Sequence, residues 1–257
     1  MLDVFFLFRL KFRSDFVAKF LILRRFSFAA TKHFRELRGV ILHVDAAHGG
    51  SLLVSERFRH LLDGIEAADS VTWDTHKLFA TSSLCGVSLF RRKEDLSHTF
   101  LQKAPYLFGE ERIGEDISQN TIECTKAMLS LKLFFNLAVV GEKGLAAHVE
   151  NLIDKTSSFY KLIHSRKGFE CFMQPTVNIL CFRYGKNSEL QARIREKLVQ
   201  QGDFYITRAV VNGKTYLRLV IMNPFTEEKH IHELCSRIED IAKNLSTKST
   251  RLASSHA

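Results

Sequence analysis

The apolar and polar positions predict an α/β arrangement in the first half of the chain. Residues 40–44 form an apolar, β-branched run that closes at Asp45, which predicts a buried strand. Similar runs predict strands at 70–73 and 86–90, and a short helix at 56–62 fits between the first two strands. Strand, crossover and strand predict neighbouring parallel strands with functional groups at their carboxyl ends.

The second half of the chain has a different pattern. Helical spacing of apolar residues covers 125–140 and 145–163, and Gly141 and Gly144 mark a break between these two helices. After Gly168 the pattern predicts a compact α+β unit, with strands at 170–173, 177–183, 204–210 and 216–221 and helices at 188–201 and 227–244. The Ser/Thr-rich end, 246–257, is predicted to be disordered.

The formal net charge of +9 sits mainly at the start of the chain. Residues 1–38 carry nine basic and three acidic side chains, nine of the 22 Phe, and no Gly or Pro. The charges interrupt every apolar stretch near the length of a spanning helix, so no membrane span is predicted. An amphipathic surface helix and an atypical chain start both remain open for 1–38. Because the middle of the chain is nearly neutral, nucleic acid is not an expected partner.

The cysteines indicate a reducing compartment. There are five, an odd number, at irregular spacing and without a CxxC pair of the kind that binds zinc. We therefore expect free thiols and a cytoplasmic location.

The candidate catalytic residues lie at the ends of two predicted strands. Asp45 stands at the mouth of one predicted strand, and Lys77 lies just past the next. Pyridoxal 5'-phosphate needs both residue types, since its aldehyde forms a Schiff base with a lysine amine and its ring nitrogen needs an anion to stay protonated. His43 and His48 could join Asp45 as metal ligands, but nothing supplies the rest of a coordination shell, so no metal is predicted.

The stretch from His43 to Lys77, which begins HVDAAHGG and ends WDTHK, closely resembles the pyridoxal-phosphate-dependent group II amino-acid decarboxylases. These are the relatives of glutamate, cysteine-sulfinate, aromatic amino-acid and diaminobutyrate decarboxylases. The resemblance continues at lower density through 181–184 and 216–224 and covers roughly 39–245. It implies a fold-type-I α/β protein. Residues 39–145 would form the C-terminal half of the large domain, with a mostly parallel sheet. Residues 146–245 would form a small α+β domain. The atypical segment, 1–38, would precede these two domains, and the disordered tail, 246–257, would follow them.

The resemblance also implies roles for five residues. Lys77 would be the Schiff-base lysine and Asp45 the partner of the pyridine nitrogen. Ala47 would lie against one face of the ring, and His76 would contact the cofactor phosphate. Arg218 would hold the substrate α-carboxylate, a task that suits a bidentate guanidinium.

The function that the resemblance implies is a homodimeric, pyridoxal-phosphate-dependent carboxy-lyase that removes the α-carboxylate of an amino acid. The alternative is a catalytically inactive remnant lacking half of the cofactor site, because family members run to nearly twice this length. Residues 1–38 contain no Ser/Gly-rich turn for a phosphate, and 109–123 contain no tyrosine to serve as a proton donor. Asp74 and Thr75 replace an Asn-Pro pair that is frequent in relatives, a change that we expect to be tolerated.

Overall fold

The computed structural model describes residues 7–11, 17–21, 41–101, 104, 106–107, 117–120 and 126–254. The chain divides into two compact units, and the division falls between Val149 and Glu150, within four residues of the boundary predicted at 145/146. Among the described residues, no helix is both long and apolar enough to cross a membrane.

The first unit opens with a pair of strands. β1 (Leu7–Lys11) pairs with β2 (Val17–Leu21) in an antiparallel two-stranded sheet. The sequence left open an amphipathic helix for 1–38, but these two segments are extended. Their Phe, Val and Leu residues favour strands, which accounts for the difference.

The central sheet of the first unit has the order β3-β4-β5, with β3 at His43–Asp45, β4 at Ser70–Asp74 and β5 at Gly86–Phe90. β3 and β4 are parallel, as predicted, whereas β4 and β5 are antiparallel. Among the described strands the sheet is therefore mixed, and not mostly parallel. The connection 75–85 is shorter than the dozen or more residues that a parallel crossover requires, so β5 returns antiparallel.

The connection from β3 to β4 contains three short 3-10 helices, at Gly49–Val54, Arg59–Leu62 and Ile65–Ala67. The short helix predicted at 56–62 is present only in part, as the 3-10 helix at Arg59–Leu62. Ser55 Oγ accepts a hydrogen bond from the Phe58 N–H at 3.1 Å, the bond that a serine at a helix start makes, and this closes a single turn. Few residues lie between that turn and the break that follows 62, so an α-helix has no room to propagate.

A long helix, α2 (Ser130–Ser165), follows the short helix α1 (Lys93–Phe100). Gly141 has φ of 73° and ψ of 164°, which are not helical, so α2 is two helices joined at a kink. The positive φ favours glycine. The break predicted at Gly141 is confirmed, although the described helix starts at Ser130 and not at 125.

The second unit is an α+β layer built on one antiparallel sheet. Its strand order is β6-β7-β9-β8, with β6 at Phe169–Cys171, β7 at Ile179–Tyr184, β8 at Thr207–Val211 and β9 at Lys214–Val220. Two further helices, α3 (Ser188–Gln201) and α4 (Glu228–Ser254), complete it. α3 packs against β8 and β9, and α4 packs against α3. The predicted α+β unit is confirmed.

The ends of these helices show where local sequence decides structure. The Asn187 side chain accepts hydrogen bonds from the N–H groups of Glu189 and Leu190, and Gly202 ends α3 with φ of 79°, which confirms the helix predicted at 188–201. α4 continues past the predicted end at 244 to Ser254, through most of the segment predicted to be disordered. Residues 246–254 contain no Gly or Pro that would stop a helix.

Candidate active site

The parallel pairing of β3 with β4 brings the predicted site residues of the first unit to one edge. Beyond the strand ladder, the Ala46 N–H donates to the Thr72 carbonyl at 2.8 Å, and the Asp74 N–H donates to the Ala47 carbonyl at 3.3 Å. The chain leaving β3 therefore runs beside the chain leaving β4, which leads to Lys77. We call this the carboxyl edge of the sheet.

Asp45 is the last residue of β3 and is half-buried. Its Oδ1 accepts a hydrogen bond from the Ala47 N–H at 3.0 Å, which fixes the direction of the carboxylate. Ala47 follows and is partly exposed, and its side chain is a single methyl group. Both residues lie at the carboxyl edge, as the sequence predicted.

His43 shares a strand with Asp45 but has a different role. Its Nδ1 lies 2.8 Å from Ser70 Oγ, and its Nε2 lies 3.3 Å from Thr72 Oγ1. Burial lowers the pKa of His43, and the nearby Asp45 charge partly opposes that shift. Because hydroxyl groups contact both ring nitrogens, neither nitrogen points to a metal. The described residues contain no group of three or more His, Cys, Asp or Glu side chains placed to hold one.

Lys77 lies three residues past the end of β4 and is held in an ion pair. Its Nζ is 2.7 Å from Asp74 Oδ2, and the two side chains are 26% and 22% exposed. The Lys77 N–H also donates to the Asp74 carbonyl at 3.1 Å, so one tight turn sets the spacing of the pair. The next two residues, Leu78 and Phe79, are almost completely buried and anchor this turn to the core. We expected the change at Asp74 to be tolerated, and the ion pair with Lys77 was not predicted.

The His76 ring is tied to the backbone of Cys85. Its Nδ1 lies 2.8 Å from the Cys85 carbonyl oxygen and 3.2 Å from the Cys85 nitrogen. The buried Thr75 hydroxyl donates to the same carbonyl at 3.0 Å. These contacts fix the ring and engage its Nδ1. Contact between His76 and a phosphate stays a prediction.

Two residues of α2 hold the loop that follows Lys77. The Lys132 ammonium lies 3.0 to 3.4 Å from three successive carbonyl oxygens, those of Ser82, Ser83 and Leu84. The Asn136 side-chain amide donates to the Phe79 carbonyl at 2.6 Å. Sequence reasoning missed both residues, because nothing in an ordinary helical pattern shows which distant loop a polar side chain will meet.

Arg218 lies in β9 of the second unit, half-buried, opposite Cys181 of β7 and Thr207 of β8. Burial raises the pKa of the Cys181 thiol, and the Arg218 charge opposes that shift. Its contact with a substrate carboxylate stays a prediction. The stretch without tyrosine, 109–123, lies outside the described residues except for 117–120.

The carboxyl edge carries the two functional groups, an amine and a carboxylate, that a pyridoxal-type cofactor needs. A primary amine reacts with an aldehyde, and an oriented carboxylate pairs with a protonated ring nitrogen. Lys77 supplies the amine, and Asp45 supplies the carboxylate held by a backbone N–H. These residues fit such a group. Asp74 Oδ2 is the partner of the amine.

Comparison with known proteins agrees with this chemistry. Residues 24–185, more than half of the chain, match the family model of the pyridoxal-dependent decarboxylase conserved domain. The chain therefore belongs to the pyridoxal-dependent decarboxylase family.

Individual relatives support the same family. The chain is 31% identical to the cysteine sulfinic acid decarboxylase of Rattus norvegicus over 232 residues, which cover 80% of this chain and 46% of that protein. It is 28% identical to the aromatic-L-amino-acid decarboxylase of Cavia porcellus over 207 residues, covering 79% and 43%. The crystal structure of mouse CSAD superposes with a TM-score of 0.72 at 27% identity and covers 84% of this chain and 48% of that one. The chain spans about half the length of the relatives it matches.

Proposed function

We propose that the protein is a pyridoxal-phosphate-dependent carboxy-lyase that removes the α-carboxylate of an amino acid. The observation that carries the proposal is the carboxyl edge, where the hydrogen bond from the Asp74 N–H to the Ala47 carbonyl brings the chain after Asp45 beside the chain that leads to Lys77. Family membership supports the same chemistry. Relatives with decarboxylase names include cysteine sulfinic acid and aromatic-L-amino-acid decarboxylases.

Each residue has a distinct task in this proposal. When bound, the cofactor supplies an electron sink for the electron pair left on the substrate Cα after carbon dioxide departs. Lys77 would hold the cofactor through Nζ, whose primary amine can condense with an aldehyde and release water. Asp45, oriented by the Ala47 N–H, places a fixed negative charge for the protonated ring nitrogen. Arg218 binds the α-carboxylate through its guanidinium fork. Lys132 and Asn136 keep the loop after Lys77 in place.

The activity is tested with the full chain, added pyridoxal 5'-phosphate and a panel of amino acids labelled at the α-carboxylate. The panel contains cysteine sulfinate, glutamate, aspartate, tryptophan and tyrosine. We expect release of labelled carbon dioxide from at least one of them, and none when the cofactor is omitted. If no substrate loses label while rat cysteine sulfinic acid decarboxylase is active in the same buffer, the proposed activity is wrong.

A second candidate function is a catalytically inactive decarboxylase remnant that lacks half of the cofactor site. The ion pair between Asp74 and Lys77 favours it, because the amine needed for covalent binding is already engaged. The same assay separates the two candidates. Absence of carbon dioxide release, with or without covalent binding of the cofactor, would support the second.

We also propose that the protein acts as a homodimer in the cytoplasm. The location follows only from the cysteine pattern. The dimer is supported by the first turns of α2 and the residues just before them. The side chains of Lys132 and Asn136 donate hydrogen bonds to the loop after Lys77, whereas the apolar side chains of the same stretch are exposed to solvent. These form the apolar helix surface: Met128, Leu129, Leu131, Phe134, Phe135, Leu137, Val139 and Val140.

Such a contiguous apolar surface is unusual on a monomer and marks a contact with another surface. Phe134 and Phe135 are 60% and 56% exposed, and large aromatic side chains are frequent at the centres of interfaces. A second copy of the chain is the partner that the family resemblance implies.

The dimer is tested by measuring the molar mass of the chain in solution by sedimentation velocity. We expect about twice the 29.5 kDa of one chain. Phe135→Asp should shift the protein to monomers, because it places a charge in a desolvated interface. Phe225→Asp is the matched control, since Phe225 is 80% exposed and outside the apolar helix surface. A wild-type chain that sediments as a monomer contradicts the proposal.

A further inference from the structure

We propose that Asp74 restrains Lys77 and weakens binding of phosphate-bearing aldehydes at the carboxyl edge. The inference rests on the proposed function, because it concerns the same lysine and the same class of cofactor. Its central observation is the ion pair, in which Lys77 Nζ lies 2.7 Å from Asp74 Oδ2.

The position of the Asp74 carboxylate is set by its surroundings. Its own N–H is bonded to the Ala47 carbonyl, and its carbonyl accepts the Lys77 N–H. The second carboxylate oxygen, Oδ1, lies over Gly86 of β5, where a Cβ would come within 3.2 Å of it. A side chain at Gly86 would therefore crowd Oδ1, while Oδ2 contacts Lys77. The ion pair is therefore built into the turn and the sheet.

This pair opposes the reaction of Lys77 with an aldehyde. A primary amine condenses through its nitrogen lone pair, forms a C=N bond and releases one water, so an ammonium first loses a proton to solvent. Nζ must also leave Oδ2 before it can reach the aldehyde carbon. Removing the Asp74 charge removes that competing partner.

Asp74 also acts on the phosphate. His76, two residues further on, is the residue predicted to contact the phosphate, which would place a dianion close to the Asp74 carboxylate. Like charges at short range in a partly buried site repel strongly. An asparagine of the same shape carries no charge, and its amide can donate a hydrogen bond to a phosphate oxygen.

The test compares the full wild-type chain with Asp74→Asn. Two probes are used, pyridoxal and pyridoxal 5'-phosphate, and the adduct on Lys77 is trapped with borohydride and quantified by peptide mass. With pyridoxal, Asp74→Asn should raise the trapping rate about two- to fivefold, the effect of removing a partly exposed ion pair. With pyridoxal 5'-phosphate, the gain should be larger, about tenfold, because repulsion is relieved as well.

Two further variants isolate the charge of Asp74. Asp74→Glu keeps a carboxylate and should stay within about twofold of wild type. Asp95→Asn is the matched control, since Arg92 and Asp95 form an i,i+3 pair of the same 2.7 Å length. That pair follows Phe90, which pairs with Ser70 at the opposite edge of the sheet, so its loss should leave trapping unchanged. Thermal unfolding by circular dichroism confirms that each variant is folded.

The outcomes separate this inference from the proposed function. Equal trapping rates in wild type and Asp74→Asn overturn the inference and leave the proposed function standing. The same conclusion follows if Asp74→Glu or Asp95→Asn raises the trapping rate as much as Asp74→Asn does. Faster trapping in Asp74→Asn without any carbon dioxide release supports the inference and overturns the proposed activity. Absence of the Lys77 adduct in every variant overturns both.

Discussion

Lys77→Ala is expected to abolish covalent binding of pyridoxal 5'-phosphate and to lower carbon dioxide release roughly a thousandfold or more. Loss of a residue that bonds covalently during catalysis has effects of this order. Lys77 is the amine at the carboxyl edge, held in place by the buried Leu78 and Phe79 that follow it. The measurements are the visible absorbance of the bound cofactor and the release of label from the α-carboxylate.

Two control variants make this result specific. Lys77→Arg keeps a positive charge beside Asp74 but cannot condense with an aldehyde, so it should be as inactive as Lys77→Ala while preserving the ion pair. Lys93→Ala, at the exposed start of α1, should behave as wild type. Cofactor absorbance or activity that survives in Lys77→Ala would show that another lysine carries the chemistry.

Phe182→Ala is expected to lower the free energy of unfolding by about 3 to 5 kcal/mol. Phe182 lies in β7, between β6 and β9, and its side chain is completely buried. Its ring centroid is 6.2 Å from that of Phe169, whose ring in turn lies 5.0 Å from Tyr184. Truncation to alanine removes this buried area and leaves a cavity that the sheet cannot fill.

Urea unfolding followed by circular dichroism measures this loss. Phe225→Ala is the control, because Phe225 is 80% exposed and its truncation should change the free energy by less than about 0.5 kcal/mol. The single tryptophan, Trp73, lies in β4 of the first unit, so its fluorescence reports that unit separately. A loss below about 1 kcal/mol would show that Phe182 is not in a tightly packed core.

Much of the fold could be predicted because its signals are local. The limits of α3 were predicted correctly, since Asn187 and Gly202 mark its ends within the sequence itself. The break at Gly141 and the strand at Gly86–Phe90 were predicted in the same way. The helix expected at 56–62 is shortened to the 3-10 helix at Arg59–Leu62, because Gly64, with φ of 96°, ends the segment before an α-helix can propagate.

The direction of β5 shows the limit of the same reasoning. Its apolar run has the same composition whether the strand is parallel or antiparallel. The short connection 75–85 decides the direction, and it places Gly86 opposite Asp74 at the carboxyl edge. The position of Gly86 beside the Asp74 carboxylate is therefore decided by the strand topology and not by the local sequence.

The candidate site also has features that the sequence predicts and features that only the structure shows. Asp45, Ala47, His76 and Lys77 could be proposed from the sequence, because a strand end followed by small or polar residues is a local pattern and the stretch resembles a known family. Their approach to one another follows from the parallel pairing of two neighbouring strands. The restraint on Lys77 by Asp74 was missed, since spacing alone does not show whether two side chains will meet.

The sequence by itself determined the strands of the central sheet, the strands and helices of the second unit, the kink at Gly141, and the acid and lysine at successive strand ends. These depend on periodicity and on the backbone preferences of neighbouring residues, which act within a few positions. Only the tertiary structure decided which partners those residues have. Lys132 and Asn136 reach the loop after Lys77 across about 50 residues of chain. Such contacts arise when whole elements pack, because packing fixes distances that no local window of sequence contains.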